Sequence, residues 1–444
     1  RPTPELSFAV RELGCDFGIV LTASHNPKEY NGYKVYWNDG GQLVPPHDSA
    51  VIEKVRATRF EDIRWDANEA LIETVGTAID DKYTDMVAGL SLSNAGKTEL
   101  NIVFTALHGT SIVSVPPALA KAGFTYVQLV EAQSTPDGNF PTVASPNPEE
   151  SAALAMAVAQ AEATNADLVI GCDPDTDRVG IAVNDGTGKM QLLNGNDTAA
   201  LLVHYILNAY KTNGTLPANG FTAATVVTTD LIADISAAYG VPCYRCLTGF
   251  KWIADIINNK PEEQFLVGGE ESYGYLIGDD VRDKDAVASA VMIAEMAANA
   301  KAQGRTVLQQ LEAIHREFGQ YQERLISITK KGRSGAQEIA DMMTALRNDP
   351  PKTLAGSPVF VAIDHAKSTQ TDLRIGATSS TQLPASNVLQ FITEAGDKVS
   401  ARPSGTEPKI KFYFSVRTTT GESHAATKAE LERKIDTFIE ELNL

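Results

Sequence analysis

Three carboxylates, Asp173, Asp175 and Asp177, stand at every second position after an apolar run, Asp167-Leu168-Val169-Ile170-Gly171-Cys172, and Arg178 follows them. Carboxylates leaving the end of a buried strand in this spacing can converge on one hard cation. An oxygen-only set of this kind suits Mg²⁺, with water or a phosphate oxygen completing the coordination. A solvated acidic turn would explain the charges, but neither the strand before them nor the arginine beside them. The stretch reads as a metal–phosphate site.

Two sharper alternatives fit less well. An EF-hand loop counted from Asp173 needs Gly where Arg178 stands and Glu where Asn184 stands. A haloacid-dehalogenase-type phosphatase wants Asp-x-Asp-x-Thr (or Val), and the last position here is Asp177.

A serine completes the outline of a group-transfer site. Leu21-Thr22-Ala23-Ser24-His25-Asn26-Pro27 follows the apolar run Phe17-Gly18-Ile19-Val20-Leu21 and precedes the aromatic-rich run Tyr33-Lys34-Val35-Tyr36-Trp37. Asn-Pro marks a turn. A hydroxyl held at the end of a strand can act as a nucleophile or carry a transferable group when a base and an anion site lie nearby. A loop serine bonding a backbone amide is the plainer alternative, and these residues alone favour it.

Two further loops could supply anion- and hydroxyl-binding chemistry, although the first, read alone, is more plainly a surface turn. Gly268-Gly269-Glu270-Glu271-Ser272-Tyr273-Gly274-Tyr275 follows the strand Phe265-Leu266-Val267, and its carboxylates could grip vicinal sugar hydroxyls. Arg402-Pro403-Ser404-Gly405-Thr406-Glu407-Pro408-Lys409 enters the strand Ile410–Phe414. An Arg fork, two hydroxyls and a glycine-opened backbone make a phosphate cradle. It lacks the Walker order, so a nucleoside triphosphate is not implied. Arg282-Asp283-Lys284-Asp285 reads as a solvated charge run. Lys251, in Thr248-Gly249-Phe250-Lys251-Trp252, reads by itself as a surface lysine. Cys243-Tyr244-Arg245-Cys246 has no second ligand pair and reads as two packed thiols. Ser24 lacks the Gly-x-Ser-x-Gly elbow of an esterase. His108 is expected to be at least as much structural as cleft-facing.

These loops need a scaffold that presents strand ends. Helix is expected at 6–13, over the polar stretch 48–90, and near 115–122, 149–163, 199–209, 231–239 and 285–302. Strands are expected at 17–21, 32–37, 100–104, 126–130, 167–172, 179–183, 223–229 and 265–267. Ser93–Lys97 reads as a linker. Alternation of this kind means α/β architecture with largely parallel sheets. Beyond residue 325 the character changes to strands at 325–329, 359–363, 388–393 and 410–416. An amphipathic helix at 425–442 follows, with Leu431, Ile435, Phe438, Ile439 and Leu442 on its apolar face.

The chain has 444 residues, enough for roughly three domains. Its 43% hydrophobic and 21% charged content is ordinary for a globular protein. The net charge of −18, from 56 acidic and 38 basic residues, argues against nucleic acid or an anionic membrane as partner. No run is long enough to span a bilayer, no signal peptide opens the chain, and four cysteines make no disulfide framework. A cytoplasmic location is expected.

Four ordered stretches resemble the α-D-phosphohexomutase superfamily: Thr22–Pro27 its phosphoserine loop, Asp173–Arg178 its metal loop, Gly269–Ser272 its sugar loop and Arg402–Thr406 its phosphate loop. The metal loop usually reads Asp-Gly-Asp-Gly-Asp-Arg; here Pro174 and Thr176 replace both glycines. The resemblance covers essentially the whole chain. It implies an α/β fold of three α/β domains with mixed, largely parallel sheets plus a C-terminal α+β domain around a central cleft. The boundaries would be 1–97, 98–197, 198–324 and 325–444. By the same resemblance, Ser24 carries the phosphoryl group with His25 beside it. Asp173, Asp175 and Asp177 bind one Mg²⁺ with a phosphoserine oxygen of Ser24, and Arg178 lies near the phosphate. Lys34 matches a proposed general acid/base. Glu270 and Ser272 hold sugar hydroxyls, and Arg402, Ser404, Gly405 and Thr406 hold the non-reacting phosphate. Thr248, Gly249, Lys251 and Lys284 match specificity and phosphate contacts.

The implied reaction is a phosphoglucomutase reaction. Phosphoserine would donate to a hexose monophosphate, and the 1,6-bisphosphate would turn and return its other phosphoryl. Glucose 1,6-bisphosphate would prime Ser24 as activator. The glucose reading rests on Glu270-Glu271-Ser272-Tyr273-Gly274; mannose or pentose phosphates are the near alternatives. A phosphatase using Asp173 and an inactive sugar-phosphate binder stand further off. A hexose phosphate is the expected partner, with the chain a monomer or weak homodimer. The family normally has roughly a hundred residues before the phosphoserine loop, a full domain's worth. The front of domain 1 is therefore expected to be missing.

Overall fold

The computed structural model describes residues 1–330, 332–405, 408–419, 421 and 423–444. The chain divides into two compact units, residues 1–225 with 235–310, and residues 226–234 with 311–444.

The first unit opens with helix α1 (Thr3–Glu12), whose first turn accepts Pro4 because an N–H there has no helical partner. Strands β1 (Phe17–Leu21) and β2 (Tyr33–Trp37) pair antiparallel with Leu21 opposite Tyr33 and Val20 opposite Lys34. The connection between them carries Ser24. Helices α2 (His47–Ala57) and α3 (Thr77–Gly89) follow. The expectation of helix throughout 48–90 is corrected at 58–76, which has only two short 3₁₀ turns. Every residue there is exposed, so no apolar face exists to pay for ordering a helix.

Next come β3 (Asn101–Thr105), α4 (Val115–Lys121), β4 (Tyr126–Leu129), α5 (Ser151–Thr164), β5 (Leu168–Cys172), β6 (Val179–Asn184) and β7 (Met190–Leu193). Their sheet has the order β4-β3-β5-β6-β7, parallel among the first three and antiparallel thereafter. All of β5 is buried, and Cys172 pairs directly with Val179. The six residues between them, including the three aspartates, must therefore turn tightly.

Helix α6 (Gly195–Thr212) leads into β8 (Gly220–Thr225), α7 (Leu231–Ala238), β9 (Cys243–Cys246), α8 (Lys251–Asn259), β10 (Gln264–Gly269), β11 (Tyr275–Ile277), α9 (Ala286–Ala302) and α10 (Val307–Phe318). The sheet order is β11-β10-β8-β9, with only β11 antiparallel. Nearly all of α9 is buried, against α3, α4, α6, β5 and β11. Its Glu295, fully buried, collects Lys97 Nζ (2.8 Å), Ser91 Oγ (2.5 Å), the Leu92 and Ser93 amides (2.8 and 3.1 Å) and Tyr205 OH (2.9 Å). The expected linker at 93–97 is thus a tether wrapped around a buried carboxylate.

The second unit is antiparallel. It contains β12 (Gln320–Thr329), α11 (Gly332–Asn348), β13 (Thr353–Leu354), β14 (Ser357–Asp364), β15 (Thr369–Asp372), β16 (Ala377–Ser380), β17 (Leu389–Thr393), β18 (Lys398–Pro403), β19 (Lys409–Thr418) and α12 (His424–Glu441). The order is β12-β19-β18-β17-β14-β15-β16, with β13 on β14. One core joins Phe391, Phe412 and Phe414 of the sheet to Met343 of α11 and Ile435 and Phe438 of α12. The α+β character expected past residue 325 is present. No described helix is long and apolar enough to cross a membrane.

Candidate active site

The β5–β6 connection brings one carboxylate oxygen of each of Asp173, Asp175 and Asp177 within 4.8 Å of one another, all three residues buried. Asp173 fixes the turn from inside: its Oδ1 accepts the Asp177 and Arg178 amides at 3.0 and 2.9 Å. Asp175 Oδ2 accepts Thr3 Oγ1 (3.2 Å), Thr22 Oγ1 (3.1 Å) and Lys34 Nζ (3.2 Å). Asp177 Oδ2 is shared by Lys34 and Lys284, at 3.2 and 3.1 Å. The other oxygens, Asp175 Oδ1 and Asp177 Oδ1, are buried without a hydrogen-bond donor among the described residues. Orphaned buried acceptors are costly, and a cation among these oxygens would satisfy them. Burial, then the charges of Asp175 and Asp177, push the Asp173 carboxyl well above its usual range. The residues present fit a hard divalent ion.

Ser24 meets this cluster from the β1–β2 connection. Its φ of 54° is left-handed, and its amide donates to Thr22 Oγ1 at 2.8 Å. The hydroxyl lies 3.1 Å from His25 Nδ1 and 3.3 Å from Asp173 Oδ2. Burial works against the Lys34 ammonium, but Asp177 and Asp175 outweigh it and raise its pKa. Lys284 is likewise raised: burial opposes its charge, and Asp177 and Asp283 overcome that. For Asp177, burial is outweighed by Lys284 and Lys34, so its carboxyl is held low.

The run Arg282–Asp285, expected to be solvated, is buried throughout. Asp283 Oδ2 accepts Tyr36 OH at 2.5 Å and Gln42 Nε2 at 2.7 Å, while its Oδ1 lies 3.3 Å from Lys284 Nζ. Asp285 caps α9 through the Val287 and Ala288 amides and takes Tyr83 OH at 2.7 Å. Partners so distant in sequence explain why local charge spacing misled.

Around this centre the other expected residues take defined places. Arg178 pairs with Glu149 at 2.5 Å. Buried Glu270 accepts the Gly249 amide at 2.8 Å, which ties the Thr248–Trp252 turn to the β10–β11 loop; Thr248 and Ser272 are half-buried. Lys251 pairs with Asp48 at 3.4 Å and lies over the Trp252 ring. His108 is structural: it is buried, with Nε2 2.8 Å from Thr142 Oγ1. Cys243 and Cys246 are free thiols, the latter buried.

In the second unit, Arg402 and Ser404 are half-buried and Gly405 is exposed. They stand at the β18–β19 connection, closed by Ser404 N–H donating to Lys409 C=O at 2.7 Å. Thr406 lies outside the described residues.

Sequence reading missed several contributors: Thr3, Thr22, Tyr36, Asp283, Glu149 and Thr110. Most are single hydroxyls or carboxylates whose partners are far along the chain. Thr110 is instructive. Its amide and its Oγ1 both donate to Pro174 C=O, at 2.8 and 2.9 Å, and Oγ1 lies 2.9 Å from Thr176 Oγ1. Next to it, a Cβ on Gly109 would stand 2.3 Å from Pro174 Cα, so two backbones touch directly. The only local signal was a small-residue run after β3.

Comparison with known proteins shows the family of the chain and its fold. Models of the phosphoglucomutase/phosphomannomutase alpha/beta/alpha domains I, II and III match residues 1–62, 81–186 and 194–318. A Staphylococcus epidermidis protein named phosphoglucomutase is 39% identical over 422 residues, covering 94% of this chain and 76% of the relative. A Haemophilus influenzae protein named probable phosphomannomutase is 39% identical over 424 residues, covering 94% and 80%. Among solved structures, the chain resembles parafusin (phosphoglucomutase) from Paramecium in its open form, with TM-score 0.67 and 18% identity over 100% of this chain and 81% of that one. A phosphoglucomutase/phosphomannomutase family protein from Burkholderia thailandensis gives TM-score 0.66 at 18% identity with the same coverage.

Proposed function

The chain belongs to the phosphoglucomutase/phosphomannomutase family, and we propose that it interconverts α-glucose 1-phosphate and glucose 6-phosphate through a phosphoserine at Ser24. The observation that carries this reading is the Ser24 hydroxyl standing 3.3 Å from Asp173, beside a buried carboxylate triad that half-buried Lys34 and buried Lys284 flank. In the forward half-reaction the Oγ–phosphorus bond of phosphoserine breaks as a sugar hydroxyl bonds to phosphorus; that hydroxyl's proton leaves to a base, and the freed Ser24 Oγ takes up a proton. The bisphosphate then turns, Ser24 Oγ gives up its proton as it bonds to the other phosphoryl, and the freed sugar oxygen is protonated, leaving the isomeric monophosphate.

Asp173, Asp175 and Asp177 would hold Mg²⁺, which when bound offsets negative charge on the phosphoryl oxygens. Lys34 and Lys284 present fixed positive charge beside the same place, and catalysis is mainly positioning and electrostatics. Lys34, held as an ammonium by Asp177 and Asp175, is the candidate to give the sugar oxygen a proton, and His25, next to Ser24, is the candidate to take one. Glu270 and Ser272 would hold sugar hydroxyls, and Arg402, Ser404 and Gly405 the non-reacting phosphate. We keep the division 1–97, 98–197, 198–324 and 325–444 as four domains, and glucose 1,6-bisphosphate as the priming activator. Free thiols at all four cysteines support a reducing, cytoplasmic setting.

The equal identity to a relative named for mannose keeps phosphomannomutase as the second reading. The deciding experiment follows glucose 1-phosphate conversion with Mg²⁺ and a trace of bisphosphate, beside mannose 1-phosphate and beside Ser24→Ala. Glucose turnover that disappears in Ser24→Ala is expected. Phosphate release surviving that substitution would replace the mutase by a phosphatase.

A further inference from the structure

Thr176 stands between two of the three triad carboxylates, and its backbone is in the left-handed region at φ 62° with the residue fully buried. A β-branched residue there is a genuine outlier, since its branch crowds the backbone. Three bonds hold it. Its amide donates to Asp173 C=O at 3.0 Å, and its carbonyl accepts the Ala286 amide at 3.2 Å. Its hydroxyl meets Thr110 Oγ1 at 2.9 Å.

The direction of that last bond follows from its neighbours. Thr110 Oγ1 spends its one proton on Pro174 C=O, which can only accept. Thr176 is therefore the donor and Thr110 the acceptor. The opposing segment is itself unusual: Leu107 and His108 are consecutive left-handed residues, at φ 46° and 60°. Two costly backbone segments thus face each other across one hydroxyl chain, Thr176 to Thr110 to Pro174.

We propose that Thr110 and Thr176 are positioning residues for the metal ligands, locking the 173–178 turn in the one conformation that aims Asp175 and Asp177 inward. The inference rests on the reading of the triad as a metal site. If residue 176 relaxed to an ordinary φ, the peptides on either side would rotate and carry the flanking carboxylates apart. Glycine would adopt the turn without strain but also without a preference for it. Threonine, once its hydroxyl is bonded, gives the loop a single stable shape.

The test is Mn²⁺ binding, followed by electron paramagnetic resonance of the free ion, on the intact chain. Thr110→Val and Thr176→Val should each weaken binding about 10-fold or more, as loss of outer partners of metal ligands does. The double variant should be little worse than either single one, because the pair acts as a unit. Thr110→Ser should restore wild-type affinity, and the melting temperatures should move little. In turnover assays the Mg²⁺ requirement should rise while the KM for the sugar phosphate holds. Valine variants that bind Mn²⁺ like wild type would overturn the proposal and leave the metal reading intact. A wild-type chain that binds no Mn²⁺ would overturn both. Should the valine variants fail to fold, the Thr110→Ser/Thr176→Ser double variant keeps both hydroxyls. Wild-type affinity is expected there, and a loss would overturn the proposal.

Discussion

The hydroxyl oxygen of Ser24 and the carboxylate of Asp173 are 3.3 Å apart although 149 residues separate them in the chain. One side chain sits on a strained turn after a short antiparallel strand, the other at the end of a fully buried one. In the proposed reaction, their meeting sets the hydroxyl that would carry the phosphoryl group beside the carboxylates whose bound cation would offset its negative charge. Ser24→Ala should abolish sugar-phosphate interconversion, by about 10⁴-fold or more, and abolish labelling by radioactive bisphosphate. Retained labelling would place the phosphoryl group elsewhere.

Lys34 and Lys284 share one oxygen of Asp177. Lys34→Ala should lower kcat by about 10²- to 10³-fold, the usual scale for a positioned proton donor or a fixed charge at a reacting phosphoryl. Melting temperature should fall less than in Lys97→Met, because Asp177 keeps Lys284 as its counter-charge. Single-turnover measurement of transfer from labelled Ser24 separates this from slow product release.

Arg402→Ala should act differently. A group that holds the phosphate not being transferred contributes to binding in both directions, so KM for both monophosphates should rise about 10- to 100-fold with a smaller change in kcat. Equal KM values in variant and wild type would remove Arg402 from the site.

Lys97→Met should be felt in stability and not in chemistry. Glu295 would be left buried with its counter-charge gone, an arrangement that costs about 3–5 kcal/mol. Thermal unfolding should shift down by several degrees, while Mn²⁺ affinity of the folded protein is kept.

Glu5 gives a pH dependence. It is buried in α1, and burial, then its contact with Asp80, raises its carboxyl to about 8. In the unfolded chain it titrates near 4.5. The folded state therefore holds this proton more tightly, so the stabilisation is complete below about pH 4.5 and is lost as pH rises through 8. Urea midpoints at pH 5, 7 and 9 should fall more steeply for wild type than for Glu5→Gln. Parallel pH profiles would exclude Glu5 as the source.

Much of this was legible because the decisive stretches are local. Aspartates at alternate positions after Leu168-Val169-Ile170 and a serine between two strand-like runs announce themselves by spacing and by what precedes them. The antiparallel C-terminal part was visible in its apolar strands and in the Leu431–Phe438 stripe of α12. Other features are set by tertiary contact alone. Arg282–Asp285 reads as solvent-loving until Tyr36 and Gln42, over 240 residues earlier, are seen to bond Asp283. Strand β16 is wholly exposed Ala-Thr-Ser-Ser, with no apolar alternation to betray it. The break between α2 and α3 was hidden by helix-compatible residues that bury nothing.

The contact of Gly109 with Pro174 has a consequence for recognising such proteins from sequence. Pattern searches built on three alternate aspartates admit any acidic turn that follows a strand. Requiring a residue with no side chain some sixty positions earlier, where even a methyl group would land 2.3 Å from the Pro174 Cα, turns a loose motif into a two-point fingerprint. The same constraint warns the protein engineer that a substitution at this remote, chemically silent position edits the 173–178 loop as surely as one made within it.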